Sequence, residues 1–141
     1  MSLNLLVVDD SAIMRSMVVK SLKMGGVPIN QVHTAANGQE GLDLLGSEWI
    51  DVALVDLNMP VLDGLSMLEQ LREIDDHKEL KVIVISTEGS QPRIDRVREL
   101  GAEFVRKPFK PEDLKNLIVR LTGVSEDELE FAATEHGDED F

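Results

Sequence analysis

Four consecutive apolar, β-branched residues, Val82-Ile83-Val84-Ile85, constrain this chain more than any other feature. A strand with one wet face alternates apolar and polar residues; a strand apolar at every position is covered on both faces, as in a parallel sheet sandwiched by helices. Similar runs recur. Leu3 to Val8, Ile50 to Val55, Lys81 to Ile85 and Glu103 to Arg106 read as strands, with Val32 to Ala36 a weaker fifth. Between them lie patterns of helical period. Ala12 to Met24 carries Ile13, Met14, Met17, Val18 and Leu22, and Leu65 to Ile74 carries Leu65, Leu68 and Leu71. Leu114, Leu117, Ile118 and Leu121 form one face of a last helix, which Pro111, Glu112 and Asp113 start well. The order is strand then helix, five times over, which predicts right-handed crossovers and an α/β sandwich. No internal repeat is found.

The length of 141 residues fits one domain with a full core, residues 1–123, followed by an acidic tail, 124–141. That tail holds eight acids and no Lys or Arg, more than half of the net charge of −13. Ser125-Glu126-Asp127-Glu128 matches a capping box, so a short helix is expected there, with disorder from Gly137 onward. The tail reads either as a solubilising end or as a docking peptide anchored by Leu129, Phe131 and Phe141. With no basic block, nucleic-acid binding is not expected. The absence of cysteine excludes a disulfide scaffold and a thiolate zinc site. The apolar runs are strand-sized and the start carries no signal-peptide pattern, so neither membrane insertion nor export is expected and a cytoplasmic location is.

The chemistry-bearing residues fall at strand ends. Asp9 and Asp10 follow the first strand, Asp56 the third, Ser86 ends the fourth and Lys107 ends the fifth. Open α/β sheets bind ligands beyond the carboxyl ends of their strands, where strand order reverses. Carboxylates, a hydroxyl and an ammonium converging there suit a hard cation and a phosphoryl group. Taken singly, Asp9-Asp10 fits a solvated helix start equally well. Asp56 with Pro60 and Gly64 fits a plain turn, Ser86 a local cap and Lys107 a surface charge, and Phe104 and Phe109 fit a core. The ordered set at successive strand ends outweighs those readings. Gly38-Gln39-Glu40-Gly41 lacks phosphate-loop spacing, and His33, His77 and His136 are given no role. Trp49 is expected to begin the third strand and pack against a helix.

The series Asp9-Asp10, Asp56-Leu57-Asn58-Met59-Pro60, Ser86, Lys107-Pro108-Phe109 resembles the response-regulator receiver family over about Leu3 to Thr122. The resemblance implies a flavodoxin-like five-stranded parallel sheet of order 2-1-3-4-5 with helices on both faces. It implies Asp56 as phosphoacceptor and Mg²⁺ as cofactor, with Mn²⁺ able to substitute. Asp10 would bind the metal directly, Asp9 largely through water, and Asn58 through its backbone carbonyl. Ser86 and Lys107 would bind the phosphoryl oxygens, Lys107-Pro108 would be cis, and Phe104 would be the switch aromatic.

Asn58 and Glu88 match the pair found in stand-alone chemotaxis receivers, which implies a fairly short-lived phosphoryl state. Thr87, larger than the common alanine, narrows access. Phe104 lacks the hydroxyl of the chemotaxis tyrosine. The implied partners are a histidine kinase or phosphotransfer protein and an output protein bound at the face of the fourth helix, fifth strand and fifth helix. The implied function is a single-domain response regulator of two-component or phosphorelay signalling, chemotaxis-like in output. It would not be an enzyme beyond its own phosphoryl transfer and dephosphorylation. Two alternatives stand beside it: a phosphohydrolase with an Asp nucleophile, which needs a second acid where Asn58 stands, and a phosphorylation-independent scaffold.

Overall fold

The computed structural model describes residues 2–87 and 89–123. Glu88 and the whole acidic segment 124–141, including the expected short helix at Ser125, lie outside the described residues. Five strands, β1 (Leu3–Val8), β2 (Ile29–Ala35), β3 (Val52–Val55), β4 (Lys81–Ser86) and β5 (Glu103–Arg106), alternate with five helices. These are α1 (Ala12–Met24), α2 (Gly38–Ser47), α3 (Gly64–Arg72), α4 (Gln91–Glu99) and α5 (Pro111–Thr122). All strand pairs are parallel, and the order across the sheet is β2-β1-β3-β4-β5. The flavodoxin-like expectation holds.

Two cores explain why the strands are apolar throughout. Leu6, Val8, Ala53, Val55, Val82 and Val84 face α2, α3 and α4, where they meet Leu45, Met67, Leu68, Leu71 and Val97. Their neighbours Leu5, Val7, Val52, Leu54, Ile83 and Ile85 face α1 and α5, against Val18, Leu22, Leu114 and Ile118. Successive side chains point to opposite faces, so a strand covered on both sides is apolar at every position. The edge strands differ: β2 is buried fully only at Ala35, and β5 nowhere. That is why the sequence signal of β2 is weak. Helix starts are marked locally. The side chains of Ser11, Asn37 and Asp63 accept from the backbone N–H of Met14, Glu40 and Ser66, each satisfying an otherwise orphaned donor.

Register brings the site together. Val8 pairs with both Ala35 and Val55, and Val55 pairs with Val84. Asp9 and Asp56 are each one residue beyond a paired valine, on adjacent strands. The ladder continues through them, with Asp56 N–H donating to the Val8 carbonyl at 2.9 Å and Asp9 N–H to Ala35 at 3.1 Å. Lys107 N–H donates to the Ser86 carbonyl at 3.0 Å in the same way.

Two features lay beyond the sequence reading. Trp49 neither begins β3 nor packs against a helix. The strand starts at Val52, and the indole is 77% exposed, its Nε1 donating to Asp51 Oδ1 at 3.1 Å. Ile50 takes the buried position instead, because the chain leaving α2 can turn only one of these two side chains inward. At the opposite end of the sheet from Asp56, Arg72 ties four segments together. Its Nε donates to Leu100 O at 2.7 Å, Nη1 to His77 O at 2.9 Å and Leu80 O at 2.8 Å, and Nη2 to Gly101 O at 3.4 Å. Burial lowers its pKa from the ordinary value, but a guanidinium keeps its charge at neutral pH.

Two outcomes follow. Arg72→Met strands several carbonyls and is expected to cost about 2–3 kcal/mol in urea unfolding, with Arg72→Lys recovering only part because an ammonium lacks the planar fork. A loss within the error of the titration would show the clamp to be idle. Trp49 emission is expected to be readily quenched by iodide and to stay unmoved by Mg²⁺ or a phosphoryl mimic. The indole lies before β3, and Val52, where that strand starts, is already roughly 13 Å from Asp56 at strand rise; strong quenching by Mg²⁺ would contradict this placement.

Candidate functional site

Asp9, Asp10 and Asp56 each offer a carboxylate oxygen, and these atoms lie within 4.8 Å of one another. Asp9 is buried and Asp10 exposed. The Lys107 ammonium sits between two of them, 3.1 Å from Asp9 Oδ2 and 3.5 Å from Asp56 Oδ1. Its side chain is 10% exposed, against 7% for Asp9 and 11% for Asp56. Ser86 is 1% exposed at the end of β4 and its hydroxyl hydrogen-bonds Asp56. The five residues that the sequence placed at successive strand ends therefore do meet at one rim.

Burial pushes the Asp56 carboxyl above its ordinary value of 3.8; the Lys107 charge opposes this, the Asp9 charge adds to it, and hydrogen bonds from Ser86 and Lys107 oppose it. The site thus carries a carboxylate whose ionised form is incompletely compensated. Such a cluster could hold a hard divalent cation: the donor atoms are all carboxylate oxygens, close together, with Asp10 open to solvent.

The walls are built locally. Asp9 is fixed by Ser11 N–H donating to its Oδ1 at 2.9 Å and by Arg15 Nη1 donating to its carbonyl at 2.6 Å. The loop after β3 folds tightly over its own start. A Cβ at Gly64 would lie 2.1 Å from the Asp56 carbonyl oxygen, and one at Gly38 would lie 2.6 Å from Leu62 O. Only glycine permits both approaches. Within this loop Val61 has φ 68° and is spanned by Leu62 N–H donating to Pro60 O at 2.7 Å. A β-branched residue with positive φ is strained, on the order of 1–3 kcal/mol.

The remaining expected residues are distributed as follows. Asn58 is exposed, with Oδ1 accepting from Arg93 Nη1 at 3.4 Å. Thr87 is exposed beside buried Ser86. Phe104 is partly buried, packed against the α2-α3-α4 core with Cζ 3.0 Å from where a Gly89 Cβ would stand, and Arg106 lies 5.7 Å over its ring. Lys107-Pro108 is cis, as the resemblance implied. Arg15 and Arg93 were not anticipated. Each acts through a contact to a residue six or thirty-five positions away, for which neither period nor motif gives a signal.

A family model described as "Response regulator receiver domain" matches residues 5–119. A protein-glutamate methylesterase/protein-glutamine glutaminase of Paramagnetospirillum magneticum is 37% identical over 116 residues, covering 80% of this chain but 30% of that protein. A two-component response regulator of Oryza sativa subsp. japonica is 33% identical over 120 residues, covering 84% of this chain and 87% of that one. Among solved structures, the chemotaxis response regulator CheY4 of Vibrio cholerae superposes with a TM-score of 0.74 at 32% identity, over 86% of this chain and 99% of that one.

The raised Asp56 pKa has a definite sign. A carboxyl whose pKa is higher folded than unfolded adds stability that is fully present below the unfolded value and is lost as pH rises through the folded one. Asp56→Asn, which has no charge to bury, is therefore expected to melt higher than wild type in EDTA at neutral pH. The gap should close as pH falls to about 4, near the ordinary carboxylate range. A gap that does not change with pH would remove Asp56 as its cause.

Proposed function

This chain belongs to the response regulator receiver family, and from that premise we propose that it is a phosphorylation-controlled binding module that accepts a phosphoryl group on Asp56. The observation that carries the reading is the meeting of Asp9, Asp10 and Asp56 with Lys107 and Ser86 at the carboxyl ends of the central strands. The donor is a phosphohistidine of a histidine kinase or phosphotransfer protein. Exposed Ile13 and Met17 on α1, the helix that opens directly after Asp9 and Asp10, offer such a protein an apolar face.

An Asp56 carboxylate oxygen attacks phosphorus, the bond from phosphorus to the donor nitrogen breaks, and the imidazole keeps that electron pair. Asp10, Asp56 and the Asn58 backbone carbonyl would hold Mg²⁺, or Mn²⁺ in its place, with Asp9 acting mainly through water. Such a cation supplies charge neutralisation between carboxylate and phosphoryl oxygens. Lys107, released from Asp56 by the loss of its free carboxylate, and Ser86 then bind the phosphoryl oxygens. Ser86 ends β4, so its movement pulls on the loop leading to α4, and Phe104 follows. The face of α4, β5 and α5 thereby changes its fit to an output protein, a shift between two packings. A cavity of about 370 Å³ on that face, lined by Glu103, Phe104, Asn116 and Leu117 among others, gives a partner a foothold.

Asn58, Glu88 and Thr87 tune hydrolysis of the anhydride, which resets the switch. The likeness to a chemotaxis regulator over 99% of that chain favours a chemotaxis-like output. An amide, Asn58, stands where an Asp-nucleophile phosphohydrolase would need its second acid. Among the described residues no helix is long and apolar enough to cross a membrane.

Incubation with a small phosphodonor and Mg²⁺ is expected to add one base-labile phosphate to the wild type and none to Asp56→Asn, read by intact mass. Mg²⁺ at a hundred times its Kd is expected to stabilise the protein by about 2.7 kcal/mol, and Asp9→Asn or Asp10→Asn to reduce that gain while raising metal-free stability. Phosphate appearing on Asp56→Asn, or melting indifferent to Mg²⁺ in every variant, would overturn the assignment.

A further inference from the structure

Among the described residues Lys107, Arg15 and Arg93 border the acidic cleft, and they are not equivalent. Lys107 is buried and committed to Asp9 and Asp56. Arg15 is committed to the Asp9 carbonyl at 2.6 Å. Arg93, in the first turn of α4, reaches across the mouth to the loop after β3, where its partner is the neutral amide oxygen of Asn58, two residues beyond Asp56. That contact is 3.4 Å and exposed, long for a hydrogen bond and therefore weak.

The neighbouring charge makes this placement consequential. Asp9, Asp10 and Asp56 outnumber Lys107 within the cleft. A divalent cation held there would bring the cleft only to about neutrality, so its centre offers a phosphate dianion no net attraction, and a cation at the entrance adds the missing pull. A guanidinium presents a planar fork that matches two phosphate oxygens, and pairing with an anion adds Coulomb attraction and a second hydrogen bond that one amide oxygen at 3.4 Å does not supply. Exchanging an amide oxygen for a phosphate is thus downhill for Arg93, whereas Lys107 and Arg15 would each have to abandon a shorter contact.

We propose that Arg93 is a specificity-determining residue for the phosphoryl donor: it leaves Asn58 to grip the dianionic phosphate of a small acyl phosphate and brings it into the cleft. The inference rests on the reading of Asp56 as phosphoacceptor. Arg93 takes no part in bond making, so its contribution lies in donor capture. It is therefore largest for the most highly charged donor, and salt screens it because the entrance is exposed.

The test compares phosphorylation rates with acetyl phosphate, a dianion near neutral pH, and phosphoramidate, which carries less charge, in wild type, Arg93→Gln and Arg93→Lys. The ratio of the two rates is expected to fall by about fivefold in Arg93→Gln and to flatten with ionic strength, with partial return in Arg93→Lys. Melting temperature and Mg²⁺ titration serve as structural controls. A ratio unchanged in Arg93→Gln, or both rates falling in parallel with the melting temperature, overturns the proposal while leaving Asp56 as acceptor. Wild type that takes phosphate from neither donor overturns both readings at once.

Discussion

Three carboxylates held within 4.8 Å of one another repel, and the rest of this structure can be understood as what holds them there. Lys107 is the direct counterweight, bridging Asp9 and Asp56 from a nearly buried position. A single ammonium cannot balance three acids. The residual imbalance surfaces as the raised pKa of Asp56, where burial outweighs the pull of Lys107. The double-sided core supplies the stability that tolerates this. Leu5, Leu6, Val52, Ala53, Ile83 and Val84 are all at 0% exposure, and a fully buried aliphatic side chain contributes on the order of 1.5–3 kcal/mol. A site unstable on its own is fixed to the most rigid element available.

The same economy governs the loop after β3. Gly64 and Gly38 let the chain pass against Asp56 and Leu62 at distances no Cβ would allow, and Val61 takes a backbone conformation that β-branched residues avoid. Turning the chain back sharply leaves Asp56 and Asn58 at the rim and returns α3 to the core through Met67, Leu68 and Leu71. Local strain at an exposed residue is the cost of placing Asp56 at the rim beside Asp9 and Asp10 while its backbone stays in the strand ladder.

Much of this was legible from the residues. β1 and α1 fall where the apolar patterns put them, because buried strands and amphipathic helices write their environment into every position. The cleft was legible too, since parallel strands in register bring their carboxyl ends to one rim and the acids sit one residue beyond. What escaped has a common cause. β2 is longer than Val32 to Ala36 because an edge strand faces water and carries no continuous apolar signal. Trp49 sits in solvent because hydrophobicity alone does not say which of two adjacent apolar residues, Trp49 or Ile50, turns inward. Arg72, Arg15 and Arg93 act through carbonyls and an amide on distant segments, and an arginine that will cap a carbonyl looks in sequence like any surface charge.

The distribution of cation types follows the same physics. At the cleft centre stands a lysine, whose compact ammonium can shift between Asp9, Asp56 and a phosphoryl oxygen by rotating a flexible stem. A guanidinium there would pair two carboxylates in fixed planar geometry and resist that exchange. Two arginines stand where fixed geometry is useful: Arg72 across four carbonyls at the base, and Arg15 through one short bond to the Asp9 carbonyl. Arg93 holds a weak neutral partner at the entrance. Arg72 and Arg15 fix the frame, and the flexible ammonium of Lys107 lies between the carboxylates at the cleft centre. On the proposed reading, phosphorylation needs no large rearrangement of the sheet: the ammonium that would move already sits between its two resting partners.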